Sequence, residues 1–143
     1  MLKNIPHTLS PELLKVLMEM GHGDQIVIGD GNFPSASHAK RLIRCDGLGI
    51  PELLQDILTL FPLDTYVNKP VTLMQLVEGD DFEPTIWNKY QEILLASEEE
   101  NTNIQYVDRF DFYEKSKNAY AIIATSEKSL YANIILQKGV ISS

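Results

Sequence analysis

The sequence predicts an α/β fold, a single domain over residues 1–143 with a central β-sheet flanked by helices. Short β-branched runs bounded by glycine or polar loops alternate with segments whose apolar residues recur at helical spacing, the pattern of strands crossed by helices. The length of 143 residues, with 44% of them hydrophobic, is also that of one compact core. No internal repeat, linker or low-complexity tract divides it.

Ser10-Pro11-Glu12 opens the first element with a capping hydroxyl, a proline suited to the first helical position and an acid near the positive helix end. Leu13, Leu14, Leu17 and Met20 then share one face, so a helix is expected over about residues 11–20, with Gly21 as its C-terminal glycine. Gln25-Ile26-Val27-Ile28 lies between glycine-rich loops and reads as a buried strand. Leu42 to Cys45 is a second strand. Pro51 through Phe61 returns to helical period with Leu53, Leu54, Ile57 and Leu58, and Val71 to Val77 is strand-like. Pro84 through Ala96 carries Ile86, Trp87, Tyr90, Ile93 and Leu94 as a helical stripe that ends before the acidic run Glu98-Glu99-Glu100. Ile104 to Val107 reads as a strand, Asp108 to Lys117 as a helix, Tyr120 to Ala124 as a strand and Asn133 to Leu136 as a last strand before Gly139. Strand order does not follow from these assignments.

Twelve Lys and Arg against 20 Asp and Glu leave a net charge of −8, which repels polyphosphate and anionic lipid, so neither nucleic acid nor a membrane is an expected partner. The lone Cys45 excludes an internal disulfide and a multi-cysteine zinc cluster. The N-terminus lacks the apolar run of a signal peptide, and no stretch of about 18 apolar residues occurs as a membrane span requires. A soluble cytoplasmic protein is the expectation. No H-E-x-x-H or C-x-x-C pair points to metal, and neither a G-x-S-x-G elbow nor a phosphate loop is present.

In open α/β sheets ligands gather beyond the carboxyl ends of strands, which directs attention to Gly29-Asp30-Gly31-Asn32-Phe33-Pro34. Asp30 can accept hydrogen bonds from vicinal hydroxyls, and it can equally be a plain turn residue. His22, between two glycines, suits a proton-transfer imidazole projecting from a loop, or a histidine serving the helix C-terminus. Asp24 reads as a structural cap of the same loop. His7 and His38 read as surface histidines, and Cys45 as a small buried strand residue. Tyr131 and Asn133 place a phenol and an amide at i and i+2 entering a strand on one face, a pair suited to a sugar or to a packed tyrosine beside a turn asparagine. Arg109 offers a fork of donors for hydroxyls or a surface ion pair.

Taken in order, Met20-Gly21-His22-Gly23-Asp24, Asp30 with Asn32-Phe33-Pro34, Arg109-Phe110-Asp111-Phe112-Tyr113-Glu114, and Tyr131-Ala132-Asn133-Ile134-Ile135-Leu136 with Gly139-Val140 resemble the fucose mutarotase and ribose pyranase family over nearly the whole chain. The resemblance implies an RbsD-like fold. It also implies His22 as the catalytic acid/base and Asp30, Arg109, Tyr131 and Asn133 as sugar-binding residues; Tyr120, a position the family pattern does not fix as tyrosine, is a secondary candidate that adds a proton-transfer group or fills the core. Arginine at position 109 resembles the fucose branch, where the ribose branch tends to carry histidine. L-fucose mutarotase chemistry follows: acid/base opening and reclosure of the sugar ring, without cofactor or metal. The alternatives are a ribose pyranase-type activity on pyranose and furanose forms, or a monosaccharide-binding protein without catalysis. The resemblance further implies a homo-oligomer, typically a decameric ring, with sugar sites near subunit contacts.

Overall fold

The computed structural model describes residues 1–142 and shows a mixed six-stranded sheet covered by helices on both faces. The strands are β1 (Gln25–Gly29), β2 (Leu42–Cys45), β3 (Val71–Met74), β4 (Ile104–Val107), β5 (Ala121–Thr125) and β6 (Ile134–Gln137). The helices are α1 (Pro11–Glu19), α2 (Ser35–His38), α3 (Ile50–Leu58), α4 (Thr85–Ala96) and α5 (Arg109–Asn118). Across the sheet the strand order is β2-β5-β1-β6-β3-β4. β5 pairs in parallel with both β1 and β2, and β3 with β4, whereas β6 is antiparallel to both of its neighbours, β1 and β3.

Burial on both faces explains why the central strands read as continuous apolar runs. Ile26, Ile28, Ile123, Ile134 and Leu136 point into a core with α1, α3 and α4. Val27, Ile122 and Ile135 alternate to the opposite face and pack with Phe33, Phe112 and Ala119 beside α2 and α5. Each fully buried aliphatic side chain contributes about 1.5–3 kcal/mol by leaving water.

The caps operate as their residue types require. Ser10 Oγ accepts from the Leu13 N–H at 3.1 Å, and Asp108 Oδ1 accepts from the Asp111 N–H at 2.8 Å, so that acid caps α5 from outside it. Several expectations are corrected. Gly21 is not a left-handed C-terminal glycine; the positive φ, 87°, falls on Gly23, and the Gly21 N–H donates to Asp24 Oδ2 at 2.8 Å. The strand expected over Val71 to Val77 ends at Met74; beyond it the Val77 N–H donates to Tyr131 Oη, far along the chain, and the backbone turns through Gly79 at φ 86°. The helix expected to reach Phe61 ends at Leu58. The single turn α2 carries no periodic signal in four residues and was not expected. Tyr131 lies outside β6 with φ 57°, so the strand alternation that would align it with Asn133 does not apply. His38 is half-buried, edge-on to Phe33 and Tyr113, rather than a free surface histidine.

Tyr90 of α4, in the core shared with α1 and α3, ties that face to the segment before β6, its buried hydroxyl donating to the Ala132 carbonyl at 2.6 Å. Tyr90→Phe leaves that carbonyl without its donor in a site water does not reach. The variant is expected to lose about 1–3 kcal/mol of stability, measured by urea unfolding.

Candidate active site

Strand direction sorts the candidate residues into two groups. β1, β2, β3, β4 and β5 all end at the same edge of the sheet, and antiparallel β6 begins there. Asp30 follows β1 and Arg109 opens the helix after β4, while Tyr131 and Asn133 precede β6, so all four stand at this carboxyl edge. His22 precedes β1 and Tyr120 precedes β5, which puts both at the opposite edge.

At the carboxyl edge Asp30, Tyr131 and Asn133 line one hollow of about 320 Å³, together with Phe33, Tyr113 and Asp80. Asn133 Oδ1 accepts from the Asp30 backbone N–H at 2.7 Å, and among the described residues its amide nitrogen keeps its pair of donors uncommitted. Asp30 Oδ1 accepts from the Asn32 N–H at 2.9 Å. Burial pushes the Asp30 carboxyl above its ordinary range, against the hydrogen bonds from Asn32 and Phe33 that favour the anion. Arg109 is exposed and lies above the Phe110 ring at 5.4 Å, lining a neighbouring hollow that shares Val77 with the first. The carboxyl edge thus brings a buried carboxylate, an amide donor and a phenol into one hollow with a guanidinium beside it, a set suited to a polyhydroxylated ligand.

At the amino edge His22 Nε2 lies 3.1 Å from Asp64 Oδ1, with the imidazole 40% exposed above a carboxylate 2% exposed. An ionised carboxylate only accepts, so Nε2 carries the proton and Nδ1 is the nitrogen left for exchange. Asp64 is itself fixed by the Tyr66 N–H at 3.0 Å and by Gln137 Nε2 at 3.0 Å. Burial acts to raise the Asp64 carboxyl, but these donors and His22 outweigh it and hold the group below its ordinary range. Tyr66 packs edge-on against the imidazole at 4.9 Å. The loop beneath is pinned by Lys138, which donates to the Leu17 carbonyl at the end of α1 and whose own carbonyl accepts from the Gly23 N–H. Asp24 caps this loop, as its spacing suggested. Tyr120 packs on the core beneath Arg41, whose guanidinium carbon sits 3.9 Å from the ring centroid.

The two edges do not meet within one chain. The rise of β1 alone, Gln25–Gly29, separates them by about 17 Å, more than a monosaccharide spans. A larger hollow of about 420 Å³ between α3 and α4, lined by Leu58, Ile93 and Ala96, holds none of the residues selected from the sequence.

Three polar residues of these sites escaped the sequence reading. Asp64 stands in an ordinary loop after α3 and is joined to His22 only by tertiary folding. Asp80 lies in a Gly-Asp turn like many others. Tyr113 carried a usable signal, since it falls four residues after Arg109 on the same face of α5.

The chain matches the RbsD / FucU transport protein family over residues 3–141. It is 48% identical to the fucose mutarotase of Mus musculus, covering 98% of this chain and 95% of that protein. Among solved structures, the fucose mutarotase from Streptococcus pneumoniae in complex with L-fucose is 57% identical with a TM-score of 0.94, covering 99% of this chain and all of the other. RbsD of Bacillus subtilis, complexed with D-ribose, is 26% identical with a TM-score of 0.74 over 99% of this chain.

Asp30 carries a stability consequence of its own. Its folded carboxyl titrates above the unfolded one, so the cost of burying the anion is absent below about pH 4, grows as pH rises through the folded value and is complete above it. Asp30→Asn keeps the acceptor for the Asn32 N–H without the charge. At pH 7 the variant is expected to melt no lower than wild type, and any gain should vanish below about pH 4, as thermal unfolding at the two pH values would register.

Proposed function

The chain belongs to the RbsD / FucU transport protein family, and from that premise we propose that it is an L-fucose mutarotase, an isomerase interconverting the α and β anomers of the free sugar. The observation that carries this reading is the close structural likeness to the pneumococcal enzyme that holds L-fucose. The weaker likeness to the ribose-bound RbsD favours fucose over ribose as substrate.

In the proposed reaction the anomeric hydroxyl loses its proton, the bond between the anomeric carbon and the ring oxygen breaks, and the ring oxygen takes up a proton. The open aldehyde rotates about its first carbon–carbon bond and closes by the reverse transfers. His22 moves the proton through Nδ1 while Asp64 holds Nε2–H, a role worth about 10²–10⁴-fold. Asp30 accepts from sugar hydroxyls and Asn133 donates through its amide nitrogen, which holds the reacting oxygens in place. Arg109 and Tyr131 complete the hydroxyl contacts.

The separation of the two edges supports a homo-oligomeric enzyme in which one copy supplies His22 and its neighbour the Asp30 hollow. A contact between two different surfaces repeats around a closed ring, and a decameric ring is the assembly we assign. Cytoplasmic residence belongs to the same reading, supported by the unpaired, buried Cys45.

Saturation transfer between the anomeric proton signals of L-fucose tests the activity. Catalytic amounts of wild type are expected to accelerate exchange and folded His22→Ala to abolish it; no acceleration by wild type would leave a sugar-binding protein. Mixing His22→Ala with Asp30→Asn tests the shared site. Each variant alone is expected to be inactive, and after subunit exchange the mixture should regain activity at contacts that pair an intact His22 with an intact Asp30.

A further inference from the structure

We infer that Asp80 is a positioning residue for the sugar site: by accepting the phenolic proton of Tyr131 it makes that phenol an acceptor, and never a donor, toward a hydroxyl of the bound sugar. The inference rests on the mutarotase reading above and concerns a residue outside the sugar-binding set drawn from the sequence.

The geometry is specific. Tyr131 Oη donates to Asp80 Oδ2 at 2.7 Å and accepts from the Val77 N–H at 3.3 Å. A phenol has one proton and two acceptor positions, so one acceptor position is left for a ligand in the hollow that Asp30, Asp80, Tyr131 and Asn133 share. Aromatic neighbours flank the ring in this orientation. Phe82 stacks on it at 6.0 Å, Trp87 meets it edge-on at 6.5 Å, and the Tyr131 carbonyl accepts from Trp87 Nε1 at 2.8 Å. Asp80 is held in turn, because its Oδ1 accepts from the Phe82 N–H at 2.9 Å. One carboxylate therefore shapes the 80–82 turn with one oxygen and orients the phenol with the other.

The titration behaviour agrees. The bond to Asp80 pushes the Tyr131 phenol up, and the same bond holds the Asp80 carboxyl below its ordinary range. A phenol so committed does not serve as the proton donor of ring opening. That leaves proton transfer to His22 and gives Tyr131 the reading of one hydroxyl, with the sugar donating.

The test is a double-mutant cycle between Asp80→Asn and Tyr131→Phe, read by anomer exchange over a range of L-fucose concentrations. Asparagine keeps an oxygen for the Phe82 N–H but offers a donor where the phenol needs an acceptor. Asp80→Asn is expected to lower kcat/KM about tenfold, with the loss mainly in KM, and to cause no further loss once Tyr131 is phenylalanine. Equal losses in both backgrounds would overturn the inference, since Asp80 would then act independently of the phenol. Melting curves establish that each variant is folded, and Asp80→Ser, which retains an oxygen for the turn, provides the same comparison should the amide disturb the loop. Wild type without exchange activity would overturn the mutarotase reading itself, whereas an active wild type with an additive cycle would overturn only the role of Asp80.

Discussion

The placement of β6 between β1 and β3, antiparallel to both, is the constraint on which the rest of the structure depends. Without it the chain would hold two parallel sets of strands with no shared ladder. With it the sheet is continuous, and the segment leading into β6 is delivered to the edge where β1 ends. That delivery sets Asn133 against the Asp30 N–H and Tyr131 against the turn at Asp80. The opposite end of the strand has a matching effect, where Gln137 reaches Asp64 and Lys138 pins the loop of His22. One four-residue strand organises the chemistry at both of its ends.

The two edges differ in electrostatic design. At the amino edge a buried carboxylate is satisfied by a backbone N–H, an amide and an imidazole, so its charge is stabilised and the exposed ring above it is oriented. At the carboxyl edge Asp30 is buried with fewer compensating donors, which leaves acceptor capacity unspent. Buried acceptors with spare capacity raise the free energy of an empty site and reward a ligand that brings hydroxyls, the usual opposition between stability and function. Asp80 and Tyr131 show a third arrangement, in which an exposed carboxylate sets the polarity of a neighbouring group.

Local signals were legible wherever one segment carried them whole. Ser10-Pro11-Glu12 capped its helix as read, the run from Gln25 to Ile28 was a strand buried on both faces, and the stripe through Ile86, Tyr90 and Leu94 faced the core. Boundaries slipped where a distant partner decided them. The strand at Val71 stops early because the Val77 N–H is claimed by Tyr131, far along the chain, instead of a neighbouring strand. Tyr131 and Asn133 were identified as polar groups of one site, but their alignment on a strand face was not realised, since a left-handed residue has no place in strand alternation.

The sequence by itself determined the class of the fold, the position of nearly every helix and strand, and the residue types that a sugar-handling site needs, because each depends on periodicity, capping or side-chain chemistry within a few residues. Only the tertiary structure decided strand order, and with it which candidates share an edge. It separated His22 from Asp30, joined His22 to Asp64 across 42 positions and Tyr131 to Asp80 across 51, and set Tyr120 beneath Arg41. The physical reason is that hydrogen bonds between remote residues form at the meeting of elements, and the direction of β6 that governs those meetings leaves no mark in the four residues that compose it.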